Sequence, residues 1–462
     1  MIMAVEQAKV AFEPTWVPQL VLGVVMLATY VVIAFERLHK SVTAILGAIA
    51  AVTGAMAFGL FGSTGYEAVH ETLGHDLNIL GVIIGTSILV ETVGRSGLFH
   101  FIAIRVVKLT GGEPRRLFLF VCLLTYFFVS LLTLAPGTLL MASLVLVICK
   151  TLNYHPKPYL IAVAIVANSA ALTTFSSGIA TLMIGTYAKV PYGHFFVGSM
   201  PVGIATAGIA FFVLAKIYGR QLVADAAGAG DEATRKAKVA GFDEWGLVTN
   251  RRVFWRAAGV LAATVAGFST AQMFHVGLDF IAMTGGMAAL MLCAGDPEQA
   301  IKKVNWSVIL FFVGLFVIVS SVRATGLLGS IADLIVSLGG GNEYALIAII
   351  GVFVMATSGF VDNIPLAATM LPIISGMVER GVPAEPLYWI LISSSNLGGN
   401  STPIGSVSSV IALHALEHER HEKVGWGEYM KAGGLILLLQ AVVALAWVLA
   451  LHALGWLPQL PK

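Results

Sequence analysis

The sequence predicts an all-α integral membrane protein of two inverted repeats, each with five crossings, a re-entrant hairpin and an interrupted helix. Three observations carry that expectation. Of 462 residues 58% are hydrophobic and 11% charged, with a mean hydropathy of +0.88, so lipid must be the solvent for apolar surface that no water-soluble fold would hide. Apolar runs near the roughly 20 residues a span needs recur along the chain. The chain also matches itself when its first half is slid over its second.

Taken in order, such runs lie at residues 17–35, 42–61, 78–93 and 201–218, and again at 253–270, 276–293, 306–322 and 432–452. The first sixteen residues carry Glu6, Lys9 and Glu13 rather than a basic n-region, so the first run reads as a retained span. Two stretches have the form of hairpins. Residues 117–132 and the run ending at Cys149 flank Leu134-Ala135-Pro136-Gly137-Thr138, and at 1.5 Å per residue these arms reach about 24 and about 18 Å, short of about 30 Å of hydrocarbon. Residues 345–359 and 366–378 flank Asp362-Asn363-Ile364-Pro365 in the same way. Between Gly219 and Asn250 lies a long polar stretch with mixed charge, which divides the chain into a first repeat (1–218), a cytoplasmic linker (219–252) and a second repeat (253–462).

The self-match places Gly85 on Gly314, Gly97-Leu98 on Gly326-Leu327, Ala103 on Ala332, Pro136 on Pro365 and Met141 on Met370. After a one-residue deletion it places Pro158 on Pro386, Asn168 on Asn396 and Thr174 on Thr402. An odd number of crossings per half inverts the second half relative to the first. Charge gives an independent reading. On this topology Lys and Arg crowd one face, while Lys9, Lys189, Arg323, Arg380 and Lys462 fall on the other. The rich face is cytoplasmic by the positive-inside rule, so both termini are expected outside a bacterial-type inner membrane.

Helix-breaking residues at membrane depth point to a site, because unwound backbone is tolerated there only where it lines a protein-buried or watery cavity. Besides the tips, two breaks qualify, at 168–178 and 396–406. Each leaves free carbonyls at one half-helix end, which attract cations, and free amides at the other, which attract anions or polar solutes. The expected ligands for a small ion or solute are Thr133, Pro136 and Thr138 at the first tip and Asn168, Thr173, Thr174, Ser176 and Ser177 in the first break. From the second half come Asp362, Asn363, Asn396, Gly398, Gly399, Asn400, Thr402, Gly405 and Ser406. The glycines would let backbone approach a substrate, and the Asn, Ser and Thr side chains supply neutral donors and acceptors. Asp362 is the acidic residue at a tip, a costly placement that marks it as the coupling-ion site for H+ or Na+. Glu91 and Arg95, four residues apart, read as a local ion pair. His414 and His452 sit near span ends and read as interfacial.

Several classes are excluded. No G-x-x-x-x-G-K-[ST] loop occurs, so energy for transport comes from an ion gradient or a separate ATPase subunit. No HExxH or GxSxG arrangement supports an enzyme, no cofactor is implied, and nothing supports nucleic-acid binding. Cys122, Cys149 and Cys293 form no pair with metal-ligand spacing and read as small core residues.

At these residues the chain resembles the ion transporter superfamily, in the branch of arsenite permeases, NhaD-type sodium/proton antiporters, citrate-transporter-like proteins and the melanosomal P protein. The resemblance rests on Phe35-Glu36-Arg37-Leu38-His39-Lys40, Gly97-Leu98-Phe99, Asp362-Asn363-Ile364-Pro365-Leu366, the 396–406 break, and Gly425-Trp426-Gly427-Glu428-Tyr429. It implies a fixed scaffold, a mobile domain holding hairpins and broken helices, an elevator motion and a homodimer. It further implies secondary transport, proton- or sodium-coupled, of a small inorganic anion or arsenite-like solute, with sodium/proton antiport or an uncoupled permease as alternatives. The first half departs from the family pattern, with Thr133-Leu134 and Asn168-Ser169-Ala170-Ala171 where acidic or Asn and Asn-x-Gly-Gly pairs are usual.

Overall fold

The computed structural model describes residues 16–34, 38–62, 67–228, 231–271, 273–293, 296–302, 304, 306–420 and 422–460. The first half contains α1 (Trp16–Ala34), α2 (Lys40–Ala57), α3 (Glu67–Arg95), α4 (Leu98–Leu109), α5 (Pro114–Leu132), α6 (Leu134–Leu152), α7 (Lys157–Ala170), α8 (Ile179–Tyr187), the one-turn α9 (Phe195–Gly198) and α10 (Met200–Gly228). A short α11 (Glu232–Ala240) leads to the second half. There follow α12 (Arg251–Thr270), α13 (Leu278–Cys293), the short α14 (Pro297–Lys302), α15 (Trp306–Ala324), α16 (Leu327–Gly339), α17 (Glu343–Ser358), α18 (Asn363–Glu379), α19 (Ala384–Leu397), α20 (Val407–Arg420) and α21 (Trp426–Leu454). Nine helices of the described residues are long and apolar enough to cross a membrane.

Several of the residues that the self-match aligned do the same work in both halves. Gly97 and Gly326 both open a helix in the left-handed region, at φ 81° and 79°, where a side chain would be strained. α3 lies along α13, and α15 lies along α2. Each crossing is set by an aligned glycine. A Cβ on Gly85 would come within 2.3 Å of the Ala282 carbonyl carbon, and one on Gly314 within 2.6 Å of the Ala44 carbonyl carbon.

The remaining helices interlock across the halves. α7 packs on α5, α6 and α10, and α19 packs on α17, α18 and α21. Past each break the chain changes sides: α20 lies on α6 and α7 of the first half, and α8 lies on α18 and α19 of the second. That exchange brings the two breaks together.

Three expectations change. Both arms of the first hairpin are 19 residues long, about 28 Å, because α5 starts early with Pro114 at its first position under a Glu113 cap and α6 runs on through Lys150. The turn there is Thr133 alone; 134–138 forms the first turn of α6, since proline is tolerated in a first turn and so marks the helix start rather than a break. The interval read as a linker begins as helix, with α10 continuing to Gly228.

Candidate functional site

α7 ends at Ala170 and α8 begins after Gly178; α19 ends at Leu397 and passes through a single 3-10 turn, Gly398–Asn400, before α20 begins at Val407. Both pre-break helices therefore present their last-turn asparagine to the gap. Asn168 Nδ2 donates to Asn400 Oδ1 at 2.8 Å and to Ser406 Oγ at 3.0 Å, so the first break is bonded directly to the second. Asn400 Nδ2 donates to Gln440 Oε1 at 2.8 Å, and Gln440 Nε2 donates to Ser169 Oγ at 3.1 Å and the Thr206 carbonyl at 2.9 Å. The result is a closed ring of neutral dipoles joining α7, the 3-10 turn and α21, all of it buried. Such a network is stable in a low dielectric only because nearly every member is paired.

Asn396 bonds across the halves in the mirror sense. Its Nδ2 donates to Thr181 Oγ1 of α8 at 2.9 Å and to the Ile392 carbonyl at 2.8 Å. Its Oδ1 is buried with no hydrogen-bond partner among the described residues. An orphaned buried acceptor costs about 1 to 3 kcal/mol, so this oxygen is a natural ligand for a donor or cation. Ser406 extends the cage toward Ser408 and Ser409 at 2.8 and 3.0 Å, and Ser409 meets the Tyr429 hydroxyl at 2.7 Å.

The other expected residues divide by role. Thr174 Oγ1 donates to the Ser130 carbonyl at 2.8 Å, clamping the first break to α5, and Thr173 Oγ1 meets the Tyr126 hydroxyl at 2.8 Å. Ser177 Oγ lies 2.7 Å from the Ala171 and Thr174 carbonyls, and Ser176 is buried in the same stretch. Thr138 donates to the Leu134 carbonyl of its own helix at 2.6 Å, and Thr402 donates to the Gly359 carbonyl. Both hydroxyls hold backbone. The room a Cβ would take at Gly398 and Gly405 is filled by the Met355 and Gly359 carbonyls, at 2.5 and 2.9 Å. Here the glycines let the break approach the end of α17, where the sequence suggested approach to a substrate.

Thr133 and Pro136 line a cavity of about 390 Å³ with Glu91 of α3, whose carboxylate pairs with Arg95 at 2.9 Å. Asp362 caps α18 through Oδ1 to the Ile364 amide at 3.1 Å, while its Oδ2 lies 3.0 Å from Lys40 Nζ at the start of α2. Asn363 is buried as the first residue of α18. Asp362, Lys40 and Ser406 line one cavity of about 90 Å³, which places the carboxylate beside the cage rather than inside it. A larger cavity, about 810 Å³, opens between α3, α15, α8 and α18; Lys189 and Arg323 line it, and Arg323 donates to the Tyr187 hydroxyl at 2.9 Å. Met183 of that cavity stands two residues from Thr181, the partner of Asn396.

Sequence reasoning missed Gln440, Lys40, Thr181 and Tyr429. Gln440 had a readable signal, being a lone amide within an apolar span.

This buried meeting of two chain breaks can be set beside known proteins. The sequence model of a family described as citrate transporter, CitMHS, matches residues 30–393. The chain belongs to that family. A protein of Mycobacterium tuberculosis described as an uncharacterized transporter is 26% identical over 423 residues, covering 91% of this chain and 95% of that one. The human P protein is 24% identical over 511 residues, covering 94% of this chain and 60% of its own length. Among solved structures, the YdaH transporter of Alcanivorax borkumensis shares the fold, with a TM-score of 0.62 at 14% identity over 91% of this chain and 99% of that one. The CitMHS chain is thus a multi-pass membrane transporter and not an enzyme.

Proposed function

We propose that this CitMHS protein is a secondary active transporter that moves a small anion across the membrane at the expense of a proton or sodium gradient. The observation that carries the reading is the pairing of Asn168 with Asn400 and Ser406, which makes one buried polar cage from breaks in both halves. The unpaired Asn396 Oδ1 and the dipole ends of the half-helices offer ligands there without a fixed charge. Asp362 at the second tip handles the coupling ion. The cavity lined by Lys189 and Arg323, with no acidic residue lining it among the described residues, favours an anion over a neutral arsenite-like hydroxide.

Two inverted halves, a scaffold built on the α2–α15 and α3–α13 crossings, and an elevator movement of the hairpins and broken helices complete the proposal; a homodimer through the scaffold fits the same scheme. Direct sodium/proton antiport through Asp362 is the second reading, favoured by the carboxylate's place at a tip reached by a cavity. Proteoliposome flux with phosphate, dicarboxylates, arsenite and sodium under imposed pH or sodium gradients tests both. The first reading expects uptake of an anion that rises with the gradient. Gradient-driven sodium flux with no anion uptake would favour the second, and flux insensitive to every gradient would reduce the protein to an uncoupled permease.

A further inference from the structure

Lys40 and Asp362 belong to different parts of the fold. α2 packs chiefly on α15 and α1, whereas α18 is the second arm of a hairpin seated on α16, α19 and α8. The Lys40–Asp362 pair, at 3.0 Å, therefore ties the second tip to α2, and a second polar bridge, Tyr30 hydroxyl to Thr369 Oγ1 at 2.8 Å, ties the same helix to α1. The carboxylate side chain is 13% exposed and the lysine 36%. A carboxylate so placed needs a counter-charge. The adjoining cavity of about 90 Å³ has room for a cation with a few waters and is walled by Ser406, the hydroxyl that accepts from Asn168.

We infer that Lys40 is a built-in counter-ion that occupies Asp362 in the absence of the coupling cation and is displaced by it. This rests on the reading of Asp362 as the coupling-ion site. The exchange keeps the tip neutral: sodium or a proton neutralises the carboxylate, and the ammonium is released as a positive charge beside the cage. Cation binding then does two things at once. It unties the hairpin tip from α2, and it supplies the field that draws in an anion, so the cation binds first and the anion second. Among the described residues Lys40 is the ion partner of Asp362. His39 precedes it as the cap of α2 with Nδ1 turned to Ser41 at 2.8 Å, Tyr30 of α1 faces Thr369, and the α20 side of the cavity presents Ile404, Ser406, Val407 and Val410.

The test is cation binding by the purified full-length protein, using sodium-22 at fixed pH and, for the proton, the pH midpoint of proton uptake. Removing the competitor in Lys40→Gln should tighten binding of the coupling cation about fivefold or more, while Lys40→Arg stays near wild type and Asp362→Asn loses binding. Unchanged or weaker binding in Lys40→Gln, with binding lost in Asp362→Asn, would overturn the counter-ion role and leave the Asp362 reading standing. Unchanged binding in Asp362→Asn would remove both. Should Lys40→Gln fail to fold, amine labelling of wild-type Lys40, read by mass spectrometry at constant pH, should speed up severalfold on adding the cation that binds; labelling indifferent to it overturns the inference equally.

Discussion

At the first tip the chain turns on Thr133, held at φ 79° and ψ 164°, beside a cavity whose acid, Glu91, is already paired along its own helix with Arg95. At the second tip it turns through 359–362, places Asp362 as a helix cap in relaxed backbone, and pairs it with a lysine from another part of the fold. Both helices that follow carry proline at their third position, Pro136 and Pro365. The proline position has thus been kept twice while the charge was placed once. The first tip carries strain and no charge, the second charge and no strain.

Where the halves are alike, changes in either should be equivalent. Gly85→Val and Gly314→Val each drive a side chain into the backbone of the crossing helix and should cost about 3 kcal/mol or more, read as matched losses of folded, monodisperse protein. Unequal losses would break the equivalence. In the cage, Asn168→Ala strands Asn400 Oδ1 and should lower stability by about 1 to 3 kcal/mol, measured as a fall in thermal unfolding temperature. At the first tip the sign reverses. Thr133 occupies a conformation that is almost reserved for glycine and costs of order 1 kcal/mol or more, so Thr133→Gly should raise the unfolding temperature, whereas Asp362→Gly should lower it by removing the cap.

The smallest effect is outside the membrane. Hydrogen bonding and charge from Lys108, helped by Arg105, hold the partly exposed Glu244 below the usual glutamate range. A depressed folded pKa contributes stability that is present above the unfolded value near 4.3 and is lost as pH falls through the folded one. Acidification below about pH 4 should therefore loosen 241–250 from α4, seen as faster proteolysis of that segment, and Glu244→Gln should remove the pH dependence.

Much of this was legible in the chain because punctuation by Pro, Gly and Asn is a local signal. Gly85 with Gly314 and Gly97 with Gly326 each proved to do one job twice, and Asn168 and Asn396 both lie in the last turn before a break. Tertiary facts were not legible. Nothing local pairs Lys40 with Asp362 across 322 positions, or names Asn400 and Ser169 as the partners of Gln440. Hairpin arm lengths were underestimated because Lys150 and Arg116 look like span ends, yet helices run past such residues.

In the mechanism proposed, coupling resides in the charge of the second tip. Gradient-driven uptake into proteoliposomes by Asp362→Asn tests it most directly, because asparagine caps a helix as well as aspartate does and the fold around the tip is kept. The wild type should respond to an imposed proton or sodium gradient and the variant should not. Uptake by the variant that still follows the gradient at the wild-type rate would contradict that mechanism.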